Sequence, residues 1–178
     1  IGGTMYVCAD YPSYRSDWLA PSMRRPLLDD AATRALPDAG IEVGSHAEHH
    51  THLDLLPPAV AAGEIRRSRL MLQDRLQLPI DSFAYPHGSY AARTRDAVVR
   101  AGYSSGCAVR NAFSHSDDDR FALARITITD DVTPEQVASL LAGHGARIAP
   151  QRELLRTKLG RARRRWHAAR GGTHEAAA

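Results

Sequence analysis

The chain has 178 residues, 43% hydrophobic and 24% charged, which suits one globular domain with a sizeable core. It holds no apolar run long enough to cross a membrane, and its two cysteines, Cys8 and Cys107, fall in no metal or redox spacing and read as buried free thiols. The net charge of +3 is unevenly placed: residues 151–178 carry eight basic and two acidic side chains, so residues 1–150 sum to −3, a balance that excludes nucleic-acid binding by charge. The chain opens on Ile1-Gly-Gly-Thr without an initiator methionine or a targeting segment. It therefore reads as a fragment or a processed product, and its compartment is left open.

In chain order, Thr4–Ala9 is rich in β-branched and aromatic residues after a glycine pair and predicts a strand. The stretch from Tyr11 to Pro26 has no period and reads as a loop over the active face, with Tyr11, Tyr14 and Trp18 placed either to stack on sugar rings or to pack the loop down. Asp29 or Asp30 caps a helix running to Leu36, Pro37 ends it, and Gly40 permits the reversal into a strand over Ile41–Val43. Pro57-Pro58 opens the next helix, whose buried stripe is Ile65, Ser68, Leu72 and Leu76, and Leu78-Pro79 stops it.

Ser82–Tyr85 predicts a short strand closed by Pro86-His87-Gly88, and Ala91–Ala101 a helix burying Ala97, Val98 and Ala101. Tyr103–Val109 predicts a strand, Asn111–Arg120 a polar loop and Phe121–Thr129 another strand. Thr133-Pro-Glu-Gln136 has the form of a capping box with proline at the first helical position, leading a helix to about Leu141. From Gln151 to Arg170, Leu155, Leu159, Ala162 and Trp166 share one face of a basic amphipathic helix, fit either to meet an anionic lipid or polymer or to stay solvated; Gly171–Ala178 reads as a flexible end. The domain division is residues 1–148 as a catalytic body and 149–178 as a basic extension. Alternation of strands with helices argues for βα units and a parallel sheet or barrel.

The chemistry concentrates where Ile41-Glu-Val-Gly-Ser releases His46, His49, His50 and His52. Imidazole nitrogen is the commonest protein ligand for zinc-like ions, and His46 and His50 have the four-residue spacing that lets two rings converge on one ion. His49 and His52 point elsewhere in the same turn.

The words Gly44-Ser45-His46-x3-His50-Thr51-His52-Leu53 resemble the metal-binding motif of the polysaccharide deacetylases, carbohydrate esterase family 4. Phe83-Ala84-Tyr85-Pro86-His87-Gly88-Ser89-Tyr90 is similar to the family's next motif, with Ala84 where many members have arginine. The resemblance covers roughly residues 1 to 145 and implies an α/β fold, a distorted (β/α)7 barrel of the polysaccharide deacetylase type, incomplete here because its first strand would lie upstream of Ile1. It implies a metal-dependent hydrolase acting on N-acetylated polysaccharide or oligosaccharide. The cofactor would be a divalent metal, Zn2+ by ligand type, with cobalt or nickel also suited.

By the same resemblance His46 and His50 are metal ligands, and His87 offers its backbone N–H to the oxyanion. Tyr85, Pro86 and Gly88 line the sugar site and Arg125 takes over the role of the missing arginine; Trp18 joins the sugar site where the loop aromatics stack on the rings instead of packing the loop down. The family's Asp-Asp motif, with the catalytic base and the metal's carboxylate ligand, has no counterpart; Asp10 and Asp29-Asp30 lie in the wrong context. Two of three protein ligands are therefore present, which leaves a catalytically inactive carbohydrate-binding relative as the alternative. Leu141-Ala-Gly-His144 is the one match to the family's late histidine motif and reads better as a helix end.

Overall fold

A computed structural model describes residues 2–11, 14–109, 111–149, 159–160, 162–164 and 166. Four strands, β1 (Gly3–Val7), β2 (Ile41–Ser45), β3 (Ser82–Ala84) and β4 (Ser105–Cys107), form one parallel sheet in the order β1-β2-β3-β4. Parallel neighbours need crossovers. These are supplied by α1 (Asp30–Arg34), α2 (Pro58–Leu76) and α3 (Ala92–Arg100).

The helix ends follow local chemistry. Asp29 Oδ1 accepts from the Ala32 N–H at 2.8 Å and starts α1, and Gly40 at φ 74° turns the chain into β2. All four residues of the apolar stripe predicted for α2, Ile65, Ser68, Leu72 and Leu76, are buried. With Ala97 and Val98 of α3 they cover the sheet face that carries Val43 and Phe83. Ser45 also points to this face, where its Oγ donates to Ser68 Oγ at 2.9 Å and Ser68 meets the Tyr103 hydroxyl at 3.2 Å.

The opposite face is polar because β-strand side chains alternate. It presents Tyr6, Glu42, Ser82 and Cys107, with Ser82 Oγ donating to Glu42 at 2.7 Å and Tyr6 Oη lying 3.3 Å from Cys107 Sγ. Gly44 sits between them: a Cβ there would come within 2.6 Å of the Tyr6 ring and of Ser82 Oγ. His46 is next in this alternation, so the sheet delivers it at the carboxyl end of β2 on the polar face.

The strand predicted over Phe121–Thr129 does not form; only Leu123 makes a parallel bridge, to Cys107. The backbone donors beyond it are taken by side chains of the preceding loop, Ala124 N–H by Ser114 Oγ at 2.7 Å and Thr127 N–H by Asn111 Oδ1 at 3.0 Å. A ladder cannot continue once its donors are used elsewhere. The strand expected over Tyr103–Val109 is shortened to β4. Cys8 and Cys107 are free thiols, half-buried where full burial was expected.

Helix α4 (Pro134–Leu141) starts at Thr133 with reciprocal bonds between Thr133 and Gln136, and His144 lies just past its end. Because α4 buries no side chain, its cap carries much of its stability. Thr133→Ala should cost about 1 kcal/mol, seen as faster amide exchange over residues 137–141 with the sheet unaffected. The amphipathic helix predicted over 151–170 and the flexible end beyond it fall largely outside the described residues. At 159, 160, 162–164 and 166 the chain is helical, with Leu159 and Trp166 exposed. No helix among the described residues is long and apolar enough to cross a membrane.

Candidate metal centre

His46 follows β2 directly and is held at both ends. Its backbone N–H donates to Val7 at 2.8 Å, and its ring Nδ1 lies 2.7 Å from the Ala84 carbonyl at the end of β3. A carbonyl can only accept, so Nδ1 carries the proton and Nε2 keeps its lone pair. Ala47 then adopts φ 68°, an uncommon conformation for a residue with a Cβ, and swings the chain back so that His50 faces His46. Their ring centroids are 5.0 Å apart. His50 is fixed through its backbone N–H, which donates to Tyr11 Oη at 2.7 Å, and its ring stacks on Trp18 at 4.8 Å.

Both imidazoles are neutral at physiological pH. Burial pushes His46 down to about 4, with the Arg125 and His87 charges adding to it against the hydrogen bond to Ala84. Burial pushes His50 down to about 3, helped by the positive charges that His46 and His87 would carry. Neutral rings are what a cation requires. The donor set fits a zinc-like ion: Nε2 of His46 is tautomerically poised, and Nδ1 of His50 is buried with no hydrogen-bond partner among the described residues.

The same shifts have a consequence for stability. In the unfolded chain these histidines protonate near pH 6.5, whereas the folded, metal-free protein resists until about 4 and 3. Their contribution is thus full above pH 6.5 and is lost as pH falls toward 4. His49 runs the other way, because the Glu64 hydrogen bond and the charges of Glu64, Glu48 and Asp10 outweigh burial and raise it. Urea midpoints of metal-free protein should fall between pH 7 and pH 5, less steeply in His50→Gln; a midpoint unchanged over that range would contradict the neutral pair.

His87 lies across from the pair, its ring 4.4 Å from that of His50 and 3.9 Å from that of His52. Its backbone is left-handed at φ 56°, followed by Gly88 at φ 64°. Among the described residues its N–H has no acceptor. Burial lowers the His87 imidazole against a hydrogen bond to the His50 backbone. Arg125 reaches the same corner: its Nε donates to Ala108 at 3.3 Å, its guanidinium lies 5.8 Å from the Tyr6 ring centre, and no carboxylate pairs with it among the described residues.

The structure thus gathers His46, His50, His87, Gly88, Trp18 and Arg125. Tyr85 and Pro86, read from the sequence as lining the sugar site, are corrected. Both side chains are fully buried, and Tyr85 is a core residue whose hydroxyl donates to the Phe121 carbonyl at 2.8 Å between the Phe83 and Tyr90 rings. A side chain sealed from solvent cannot touch a sugar. Tyr11 supports His50 from below, a role without a sequence signal because it rests on a contact across 39 positions.

A second group, Glu48, His49 and Glu64, has donor atoms within 4.8 Å of one another. Its atoms are already engaged. Arg67 Nε holds Glu48 at 2.8 Å, Glu64 accepts from the His49 N–H at 3.0 Å and from Nδ1 at 2.9 Å, and His49 Nε2 faces Asp10 at 3.4 Å. This network braces the loop carrying His46 and His50 against α2.

The sequence model of the polysaccharide deacetylase family matches residues 3–106. The chain belongs to the polysaccharide deacetylase family. It is 24% identical over 102 residues to YxkH of Bacillus subtilis (strain 168), a protein that carries the same family name, covering 57% of this chain and 37% of YxkH. Among solved structures it resembles the Streptococcus pyogenes deacetylase PplD, determined in complex with acetate, with a TM-score of 0.61 and 23% identity over 64% of this chain and 50% of PplD. The polysaccharide deacetylase BC0361 from Bacillus cereus gives a TM-score of 0.55 and 19% identity over 65% of this chain and 37% of that one. The chain therefore spans half or less of the length of these relatives. The parallel β1–β4 sheet with its outer helices is a part of the family's (β/α)7 barrel.

Proposed function

We propose that this chain carries the metal-binding corner of a hydrolase that removes N-acetyl groups from the sugars of a polysaccharide or glycan. The observation that carries the reading is the neutral His46–His50 pair at the carboxyl end of a parallel strand, where reactive groups collect in α/β barrels, facing the His87 turn. Family membership supports it. His46 and His50 would hold a divalent ion, zinc by ligand type, which supplies Lewis acidity toward water and an amide carbonyl.

The protein's own groups would do the rest. The His87 N–H would donate to the developing oxyanion, an interaction worth about 3 kcal/mol of barrier in comparable sites. Gly88 lets the turn that presents this N–H pack against Val109, and Arg125 supplies a positive charge to orient a carboxylate. Trp18 keeps the His50 ring in place and offers its rim to the substrate. The basic segment over 151–170 would contact an anionic membrane or polymer, with exposed Leu159 and Trp166 as its apolar side.

A second reading is a carbohydrate-binding relative without activity. It is favoured by one observation: among the described residues no carboxylate joins His46 and His50. The test is zinc binding together with acetate release from N-acetylglucosamine oligomers. Release that requires zinc supports the hydrolase. Zinc and oligomer binding without release supports the binding relative, and failure to bind either overturns both.

A further inference from the structure

Under the metal centre, Ser45, Ser68 and Tyr103 bury three hydroxyls within the core that holds Ile65, Leu72, Phe83 and Val98. Their bonds form an ordered chain. Ser68 Oγ donates its only proton to the Ile65 carbonyl at 2.9 Å and so accepts from Ser45 Oγ, also at 2.9 Å. The Tyr103 hydroxyl lies 3.2 Å from Ser68 Oγ and 3.2 Å from the same carbonyl, while its ring meets that of Phe83 with centroids 5.1 Å apart. β2, α2 and, through Phe83, β3 are thereby tied at one point.

The ladder is thinnest at that point. β2 pairs with β1 over five residues, Gly3–Val7 against Ile41–Ser45, but with β3 only at Ser45 and Phe83. The next residues along the two strands are His46 and Ala84, and the 2.7 Å contact from His46 Nδ1 to the Ala84 carbonyl crosses the same junction. Ser82 and Glu42 strap the junction on the polar face, three positions before Ser45.

We propose that Ser45, Ser68 and Tyr103 are positioning residues for the metal centre: their hydroxyl chain sets the spacing of β2 and β3, and with it the tautomer that leaves His46 Nε2 open to the ion.

A hydroxyl in an apolar layer is costly unless bonded, and alanine or valine would fill much of the same space without that cost. What a fully bonded network supplies is one defined arrangement. Ser45 points down to Ser68, and His46, next in the strand alternation, points to the polar face. A shift of β2 relative to β3 therefore carries the His46 ring off the Ala84 carbonyl. With that bond lost, the ring proton is free to sit on Nε2, the atom that a cation needs.

That His46 binds an ion belongs to the function proposed above, and the test separates the two. In the metal-free full chain labelled with 15N-histidine, long-range proton–nitrogen spectra at pH 7, where the ring is neutral, read which nitrogen of His46 is protonated. Zinc affinity is measured by calorimetry and folding by circular dichroism. The parent should show His46 protonated at Nδ1 alone. Ser68→Ala, which leaves the Ser45 hydroxyl without its acceptor, should show a mixture of tautomers and bind zinc about tenfold more weakly. Tyr103→Phe, which keeps the ring on Phe83, should shift both readouts in the same direction by less. Val98→Ala loosens the same core without removing a hydroxyl and should match the parent in both. A folded Ser68→Ala protein with His46 still protonated at Nδ1 alone would overturn the proposal, as would an equal change in Val98→Ala. Failure of the parent to bind zinc would count against His46 as a ligand, while the spectra still report on the hydroxyl chain.

Discussion

His50→Ala should lower the affinity of the chain for zinc by more than about a hundredfold, since losing an outer partner of a metal ligand already costs about 10–100-fold and this change removes a ligand itself. The loss should be specific. The His50 ring packs between Trp18 and His87, and its backbone N–H bond to Tyr11 survives truncation at Cβ, so the loop keeps its course. His49→Gln is the matched control, because His49 is turned toward Glu64 and Asp10 and away from the pair. Calorimetric titration with zinc distinguishes them: His49→Gln should stay within a few-fold of the parent. Undiminished affinity in His50→Ala would move the ion to another group, with Glu48, His49 and Glu64 the first to examine.

Gly88→Ala should destabilise the fold by about 3–4 kcal/mol, a large share of the about 5–15 kcal/mol that holds a domain of this size. Two effects add. The backbone at Gly88 has φ +64°, which disfavours any residue with a Cβ, and that Cβ would lie 2.4 Å from Val109 Cβ and 2.6 Å from the Val109 nitrogen. A backbone nitrogen cannot rotate out of the way, so the Pro86-His87-Gly88 turn or the end of β4 must shift. Gly44→Ala meets the Tyr6 ring and a serine hydroxyl instead, groups with more freedom to move, and should cost less. Denaturant midpoints of both variants test this order. A Gly88→Ala protein as stable as the parent would mean that the turn relaxes freely, and the argument for a rigidly held His87 N–H would fall with it.

Much of the architecture was legible in the sequence because it depends on neighbours a few positions apart. The stripe Ile65, Ser68, Leu72, Leu76 recurs at the helical period and is buried as a unit. Asp29 and Thr133 announce helix starts through bonds that span three residues. The His46–His50 pair belongs to the same class: a strand end, a turn and a four-residue spacing are all encoded within ten positions. Two local words, around His46 and around His87, were enough to reach the family.

Other features were decided by the tertiary structure. Tyr85 sits inside a motif that reads as substrate-binding, but strand alternation turns its ring toward Phe83 and Tyr90, and only the packing of the outer helices settles which face is core. Phe121–Thr129 alternates well enough for a strand, yet its donors go to Asn111 and Ser114, whose reach depends on the path of a loop. The tautomer of His46 is set by the Ala84 carbonyl, a backbone atom that every residue type possesses. Arg164 meets Asp54 across 110 positions, a separation over which no periodicity carries information. The sequence by itself determined where the helices start, which stripe of α2 is buried and which pair of rings can converge on an ion. Which faces meet, and which distant charges they enclose, was left to the way parallel strands with long crossovers stack in space.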